Sequence, residues 1–83
     1  MNTEMLTLKI ISPAKIIFNG TVDRVLVPGE KGDFEVLVNH APIISTLVAG
    51  KVVYTINASQ QQLDILGGFV EVQKNEINLC VEI

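Results

Sequence analysis

Glycine and proline cut this chain into short apolar runs that alternate with period two, and that alternation limits what it can fold into. Leu6, Leu8 and Ile10 alternate with Thr7 and Lys9, and Ile77, Leu79, Val81 and Ile83 alternate with Asn78, Cys80 and Glu82. Successive residues of an extended strand point to opposite faces, so each run reads as a strand with one face on a core. Similar runs occupy residues 15–18, 21–27, 34–38, 43–48, 52–56, 63–65 and 70–72. Turn signals separate them at Asn19-Gly20, Pro28-Gly29, Glu30-Lys31-Gly32-Asp33, residues 57–61 and Lys74-Asn75. No stretch carries the i, i+3, i+4, i+7 apolar repeat over the ~11 residues a helix needs. Composition agrees: 26 Val, Ile and Thr residues stand against 4 Ala, a balance that favours sheet. At 83 residues the chain has room for one core and hence one domain, residues 1–83. Strands joined by such short turns pair mainly antiparallel. The expected fold is therefore all-β, a two-sheet antiparallel β-sandwich of about ten short strands.

Charge and residue counts exclude several functions. The formal net charge is -3, and the six basic residues are scattered along the chain, which argues against a phosphate-binding stripe for nucleic acid. Met1-Asn2-Thr3-Glu4 carry no positive segment, and no apolar run approaches the ~20 residues needed to span a bilayer, so a cytoplasmic location is expected. One cysteine and one histidine allow neither an internal disulfide nor a nitrogen and sulfur metal site from this chain alone.

His40 is the only ordinary base at neutral pH, and its place in a loop beside Pro42 reads as structural or partner-contacting rather than catalytic. Cys80 has no basic sequence neighbour to activate it and reads as a structural or surface thiol. Ala49-Gly50-Lys51 fails as a phosphate-binding loop, because Ser45 stands where glycine is needed and Val52 where Ser or Thr is needed. Gly67-Gly68 marks a bulge or a close backbone approach, with a ligand contact the lesser alternative. Asp23-Arg24 reads as a solvent-facing pair. Glu30, Asp33 and Glu35 surround one loop with Lys31, reading as a solvated hairpin tip, since nothing completes an oxygen cage for a metal. Val25-Leu26-Val27 and Val36-Leu37-Val38 are apolar on both faces of small strands, which points to a partner surface.

Residues 29–44, running Gly-Glu-Lys-Gly-Asp-Phe-Glu-Val-Leu-Val-Asn-His-Ala-Pro-Ile-Ile, resemble the G-x-x-G-E-x-G-[IV]-x-P-x-H-A-P-[LI] stretch of the F-type ATP synthase epsilon subunit. The similarity extends upstream through Leu8-Lys9-Ile10-Ile11-Ser12-Pro13 and Phe18-Asn19-Gly20, and downstream through Leu66-Gly67-Gly68-Phe69-Val70-Glu71-Val72. The resemblance implies a ten-stranded sandwich at the foot of the central stalk of a proton- or sodium-translocating enzyme, at the cytoplasmic face of the membrane. It implies a non-catalytic role without cofactor or metal, binding the gamma subunit on one side and the polar loops of the c-ring below. Carried over by position, Glu30, Asp33 and His40 belong to the c-ring side, and Ser12, His40, Ala41 and Pro42 to the gamma side. Asp33 replaces the usual Glu, Glu35 the usual Gly and Val38 the usual Pro. The family normally continues into a helical hairpin where this sequence stops at Ile83, so coupling without hairpin-mediated inhibition or nucleotide binding is expected. A second reading makes the chain a lipoyl or biotinyl carrier domain modified at Lys31, which fits its size but leaves His40-Ala41-Pro42 unexplained.

Overall fold

The computed structural model describes residues 5–83; the segment Met1-Asn2-Thr3-Glu4, read above for a leader, lies outside the described residues. Nine strands are present among them: β1 (Leu6–Ile11), β2 (Ile16–Val22), β3 (Arg24–Gly29), β4 (Gly32–Val36), β5 (Ile43–Leu47), β6 (Gly50–Ile56), β7 (Ser59–Ile65), β8 (Gly67–Gln73) and β9 (Glu76–Glu82). They form one curled sheet in the order β2-β1-β9-β8-β5-β3-β6-β7, with β4 paired to β3. The curl makes two layers, β2-β1-β9-β8-β5 over β4-β3-β6-β7, joined where Gly29 of β3 pairs with Leu47 of β5. All pairs are antiparallel except β1 with β9, whose parallel pairing needs no short turn because the two strands lie at opposite ends of the sequence.

Alternation decides which residues face the interior. Leu6, Leu8 and Ile10 of β1, and Ile77, Leu79 and Val81 of β9, are buried and meet Val25, Val27, Val36 and Val52 from the other layer. Fully burying each such side chain contributes about 1.5–3 kcal/mol. Phe18 of β2 and Tyr54 of β6 close one end across the layers, their rings 4.7 Å apart and tilted by 43°. Ile83, expected to share the inward face of β9, lies beyond the strand and is exposed.

Several local expectations are corrected. Asn19-Gly20 is not a hairpin but the middle of β2, where Asn19 pairs with Lys9 and Gly20 with Leu8. The glycine serves packing, since a Cβ there would sit 3.1 Å from Cζ of Phe18. The actual turn lies between Ser12 and Lys15, closed by the Ser12 N–H donating to the Lys15 carbonyl at 2.9 Å. The run 21–27 breaks at Asp23, where the chain passes from one layer to the other. The Asp23 N–H donates to the Thr55 carbonyl at 2.7 Å, and the Asp23 carboxylate accepts the Ala58 N–H at 3.2 Å, so Asp23 fixes a corner rather than merely facing solvent. At this corner Thr55 is buried, while Tyr54 and Ile56 are half-buried, which overrides the simple alternation expected along β6. The strand read over 34–38 stops at Val36, leaving Leu37 and Val38 in a loop.

The turn expected over 57–61 contracts to Asn57-Ala58, because Ile56 already pairs with Ser59. Both central residues have positive φ, 49° and 68°, the mirror-image geometry that suits the right-handed twist of a two-residue hairpin. Alanine holds this conformation against its Cβ. Ala58→Gly is therefore expected to stabilise the protein by about 0.5–1 kcal/mol, read as a rise in Tm of roughly 2–8 °C. A Tm unchanged or lowered would show that the turn is not strained.

Candidate functional site

The sequence-predicted residues fall into separate places on the surface. Glu30 and Lys31 are the two exposed residues of the β3–β4 hairpin turn, because Gly29 pairs with Gly32. The Glu30 N–H donates to the Thr46 carbonyl at 3.0 Å, which lays the hairpin tip against β5. Glu30 and Asp33 thereby line one groove of about 620 Å³ together with Phe34, Ile44 and Thr46. Glu35, two residues from Asp33, is instead drawn to Arg24, with Nε to Oε2 at 3.7 Å, which separates the third carboxylate from the tip. Among the described residues no three His, Cys, Asp or Glu side chains are grouped to hold a metal ion.

His40, Ala41 and Pro42 occupy the loop between β4 and β5. The His40 N–H donates to the Leu37 carbonyl at 3.1 Å, forming a turn that exposes Leu37 and Val38. The Nδ1 of His40 lies 2.7 Å from the Ala41 carbonyl, a contact that requires the proton on Nδ1. Ala41 and Pro42 are exposed, and Pro42 lines a second groove of about 340 Å³ with Ile43, Ile44, Glu71 and Val72. Ile44 is shared by this groove and the acidic one, and it is 76% exposed. The c-ring candidates Glu30 and Asp33 and the gamma candidate Pro42 thus line two grooves that share one apolar side chain.

Ser12 lies elsewhere. It follows β1 directly, where its hydroxyl donates to the Lys15 carbonyl at 3.3 Å. With Ile11, Pro13, Phe69 and Cys80 it borders a third groove, of about 400 Å³ and mostly apolar. The register explains that composition. Ile16 pairs with Ile11, Ile11 with Cys80, Cys80 with Phe69, and Phe69 with Thr46. These side chains form a row across the outer face of five strands, about 19 Å long at ~4.8 Å per strand spacing. Ile16 is 58% and Phe69 50% exposed.

Sequence reasoning placed the partner surface differently. Of the two runs read as apolar on both faces, Val25, Val27 and Val36 are buried in the core, Leu26 lies half-buried between Glu35 and Val53, and only Leu37 and Val38 are exposed. Phe69, Leu66 and Ile44 were missed. For Ile44 and Phe69 the signal is adjacency: Ile43-Ile44 and Phe69-Val70 are apolar pairs within one strand, and in a period-two strand one member of each must face outward, whereas Leu66 lies between β7 and β8. Gly68 is the close approach anticipated at Gly67-Gly68, its backbone lying directly over the Cys80 carbonyl.

Comparison with known proteins identifies the family of this fold. The profile of the family described as ATP synthase, Delta/Epsilon chain, beta-sandwich domain matches residues 5–83. The ATP synthase epsilon chain of Bradyrhizobium sp. (strain ORS 278) is 40% identical over 74 residues, covering 89% of this chain and 55% of that protein. The ATP synthase epsilon chain of Leptospira interrogans (serovar copenhageni) is 38% identical over 82 residues, covering 99% of this chain and 65% of that protein. The chain thus spans between half and two thirds of the length of these relatives. The same fold occurs in the cryo-EM structure of the Euglena gracilis mitochondrial ATP synthase OSCP/F1/c-ring, with a TM-score of 0.89, 18% identity, and coverage of 95% of this chain and 51% of that one. It occurs also in the Tetrahymena thermophila mitochondrial ATP synthase central stalk/c-ring, with a TM-score of 0.83, 14% identity, and coverage of 100% and 67%. A β-sandwich carrying these motifs along its whole length therefore has one family assignment: the chain belongs to the ATP synthase delta/epsilon chain β-sandwich family.

Proposed function

We propose that this chain is a non-catalytic subunit of the central stalk of an F-type ATP synthase, peripheral to the cytoplasmic face of the membrane. In this role the apolar row through Ile11, Cys80 and Phe69 binds the gamma subunit, and the Glu30 and Asp33 hairpin tip meets the polar loops of the c-ring. The observation that carries the proposal is the exposed apolar row on a domain whose core is already complete, since large exposed apolar patches mark protein interfaces. Aromatic anchors at the centre of such a patch with charges at its rim are the usual anatomy of an interface. Membership of the family supports this role over a carrier domain modified at Lys31.

Co-purification of the chain with the gamma subunit and c-ring encoded in the same genome tests the proposal. Wild type is expected to retain both partners. Asp33→Lys is expected to weaken the c-ring contact about five- to ten-fold while gamma binding stays unchanged, with the difference shrinking at high salt, because an exposed charge acts through screened electrostatics. His40→Ala serves as the loop control. If wild type captures neither partner, the stalk role is wrong, and intact mass analysis for a group attached to Lys31 becomes decisive.

A further inference from the structure

Asn39 and Asn75 lie 36 residues apart in sequence and clasp each other at the surface. The Asn39 backbone N–H donates to Asn75 Oδ1 at 2.6 Å, and Asn75 Nδ2 donates to Asn39 Oδ1 at 3.2 Å. Both residues have positive φ, 66° and 63°, a conformation that Asn tolerates better than other side chains bearing a Cβ. The two ends of the clasp differ in rigidity. Asn75 sits in the two-residue β8–β9 turn, where Gln73 pairs with Glu76 and the Asn75 carbonyl accepts the Thr7 N–H at 2.9 Å, so the turn is tied to three strands. Asn39 belongs to the β4–β5 loop, outside any strand, where the His40 N–H to Leu37 carbonyl bond and the His40 Nδ1 to Ala41 carbonyl contact are local to the loop itself.

We infer that Asn75 is a positioning residue for the partner loop 37–42, holding Leu37, Val38, Ala41 and Pro42 in one presented shape through its side-chain amide. The inference rests on the stalk-subunit reading for what the loop contacts, but the clasp itself is independent of it. A loop fixed before binding does not lose its freedom on association, which improves affinity without adding a contact. If the loop samples other shapes, the apparent affinity falls by the fraction of time it spends in the competent one.

Asn75→Gly separates side chain from turn, because glycine is favoured at the second central position of this turn type and the hairpin should survive. Hydrogen exchange on the purified protein is expected to show the Asn39 amide exchanging about five-fold faster or more, the value of one net hydrogen bond. Tm should stay within a few degrees. Affinity for the gamma subunit or c-ring is expected to fall about three- to five-fold. Asn75→Asp keeps an acceptor for the Asn39 N–H but loses the donor to Asn39 Oδ1, and should give intermediate exchange. Unchanged Asn39 exchange in Asn75→Gly would overturn the clasp. Faster exchange with unchanged partner affinity would overturn the positioning role. Wild type that binds neither partner would overturn the stalk reading and the partner role together, while the exchange rates would still judge the clasp.

Discussion

Gly68→Ala is expected to lower the unfolding free energy by about 3 kcal/mol or more, and with it Tm by roughly 12 °C or more. A Cβ built at Gly68 would lie 2.1 Å from the Cys80 carbonyl oxygen and 2.9 Å from the Val81 Cα, and both are backbone atoms of a central strand. No rotamer change relieves such a contact. Gly68 also has φ of +149°, which side-chain-bearing residues rarely adopt, so alanine would be strained even with space around it. Relief requires β8 to move away from β9, and Gly68 pairs with Val81 on one side and Leu47 on the other. A protein of 83 residues has about 4–12 kcal/mol of stability in total, so this loss removes a large share. The adjacent Gly67 is the control. Its Cβ would meet the Leu47 carbonyl at 3.6 Å, an ordinary contact, and its φ is not in the positive range. Gly67→Ala is therefore expected to cost no more than about 1 kcal/mol. Thermal melts of the two variants that agree within a few degrees would refute the close-approach account.

The contrast between these glycines shows what the sequence could and could not convey. Gly67-Gly68 signalled a close approach, but which glycine makes it depends on the register of β8 against β9, which is a tertiary property. Strand identity was legible wherever apolar side chains alternate on one buried face, as in β1 and β9. It failed at Asn19-Gly20, where a strong hairpin dipeptide was overridden by the packing of Phe18 against Tyr54. It was incomplete at residues 25–27, where Val25 and Val27 belong to the core while Leu26, on the other face, is half-buried beside its cross-strand neighbours Glu35 and Val53, so the all-apolar run is not a fully free face.

The same division holds for the site. The acidic tip was legible because Glu30, Lys31 and Asp33 are contiguous and glycine-flanked, so their convergence needs only a local turn. The Asn39 to Asn75 clasp was not legible, because it joins two turns through a fold that no local pattern reports. The apolar row was half legible: each outward residue is betrayed by an apolar neighbour, yet only the pairing of four strands aligns Ile16, Ile11, Cys80 and Phe69.

That alignment gives the second large effect. Phe69→Thr is expected to weaken gamma-subunit binding by about 2 kcal/mol or more, at least thirty-fold in affinity, while changing stability by no more than about 1 kcal/mol. Phe69 sits between Cys80 and Thr46 on the outer face, so its ring adds little to the core but is the largest apolar body in the groove it shares with Ile11 and Pro13. Aromatic residues at the centre of a patch carry a disproportionate part of binding energy, because they desolvate much area at little cost in conformational freedom. Threonine keeps the strand, being β-branched, and removes only the ring. Titration calorimetry against the isolated gamma subunit would measure the change, with Asp33→Lys alongside. If the groove rather than the acidic tip holds gamma, the ring truncation weakens this affinity and the charge reversal leaves it intact. The opposite pattern would move the gamma contact from the β1, β8 and β9 face to the hairpin and the two grooves lined by Asp33 and by Pro42, which share the exposed Ile44.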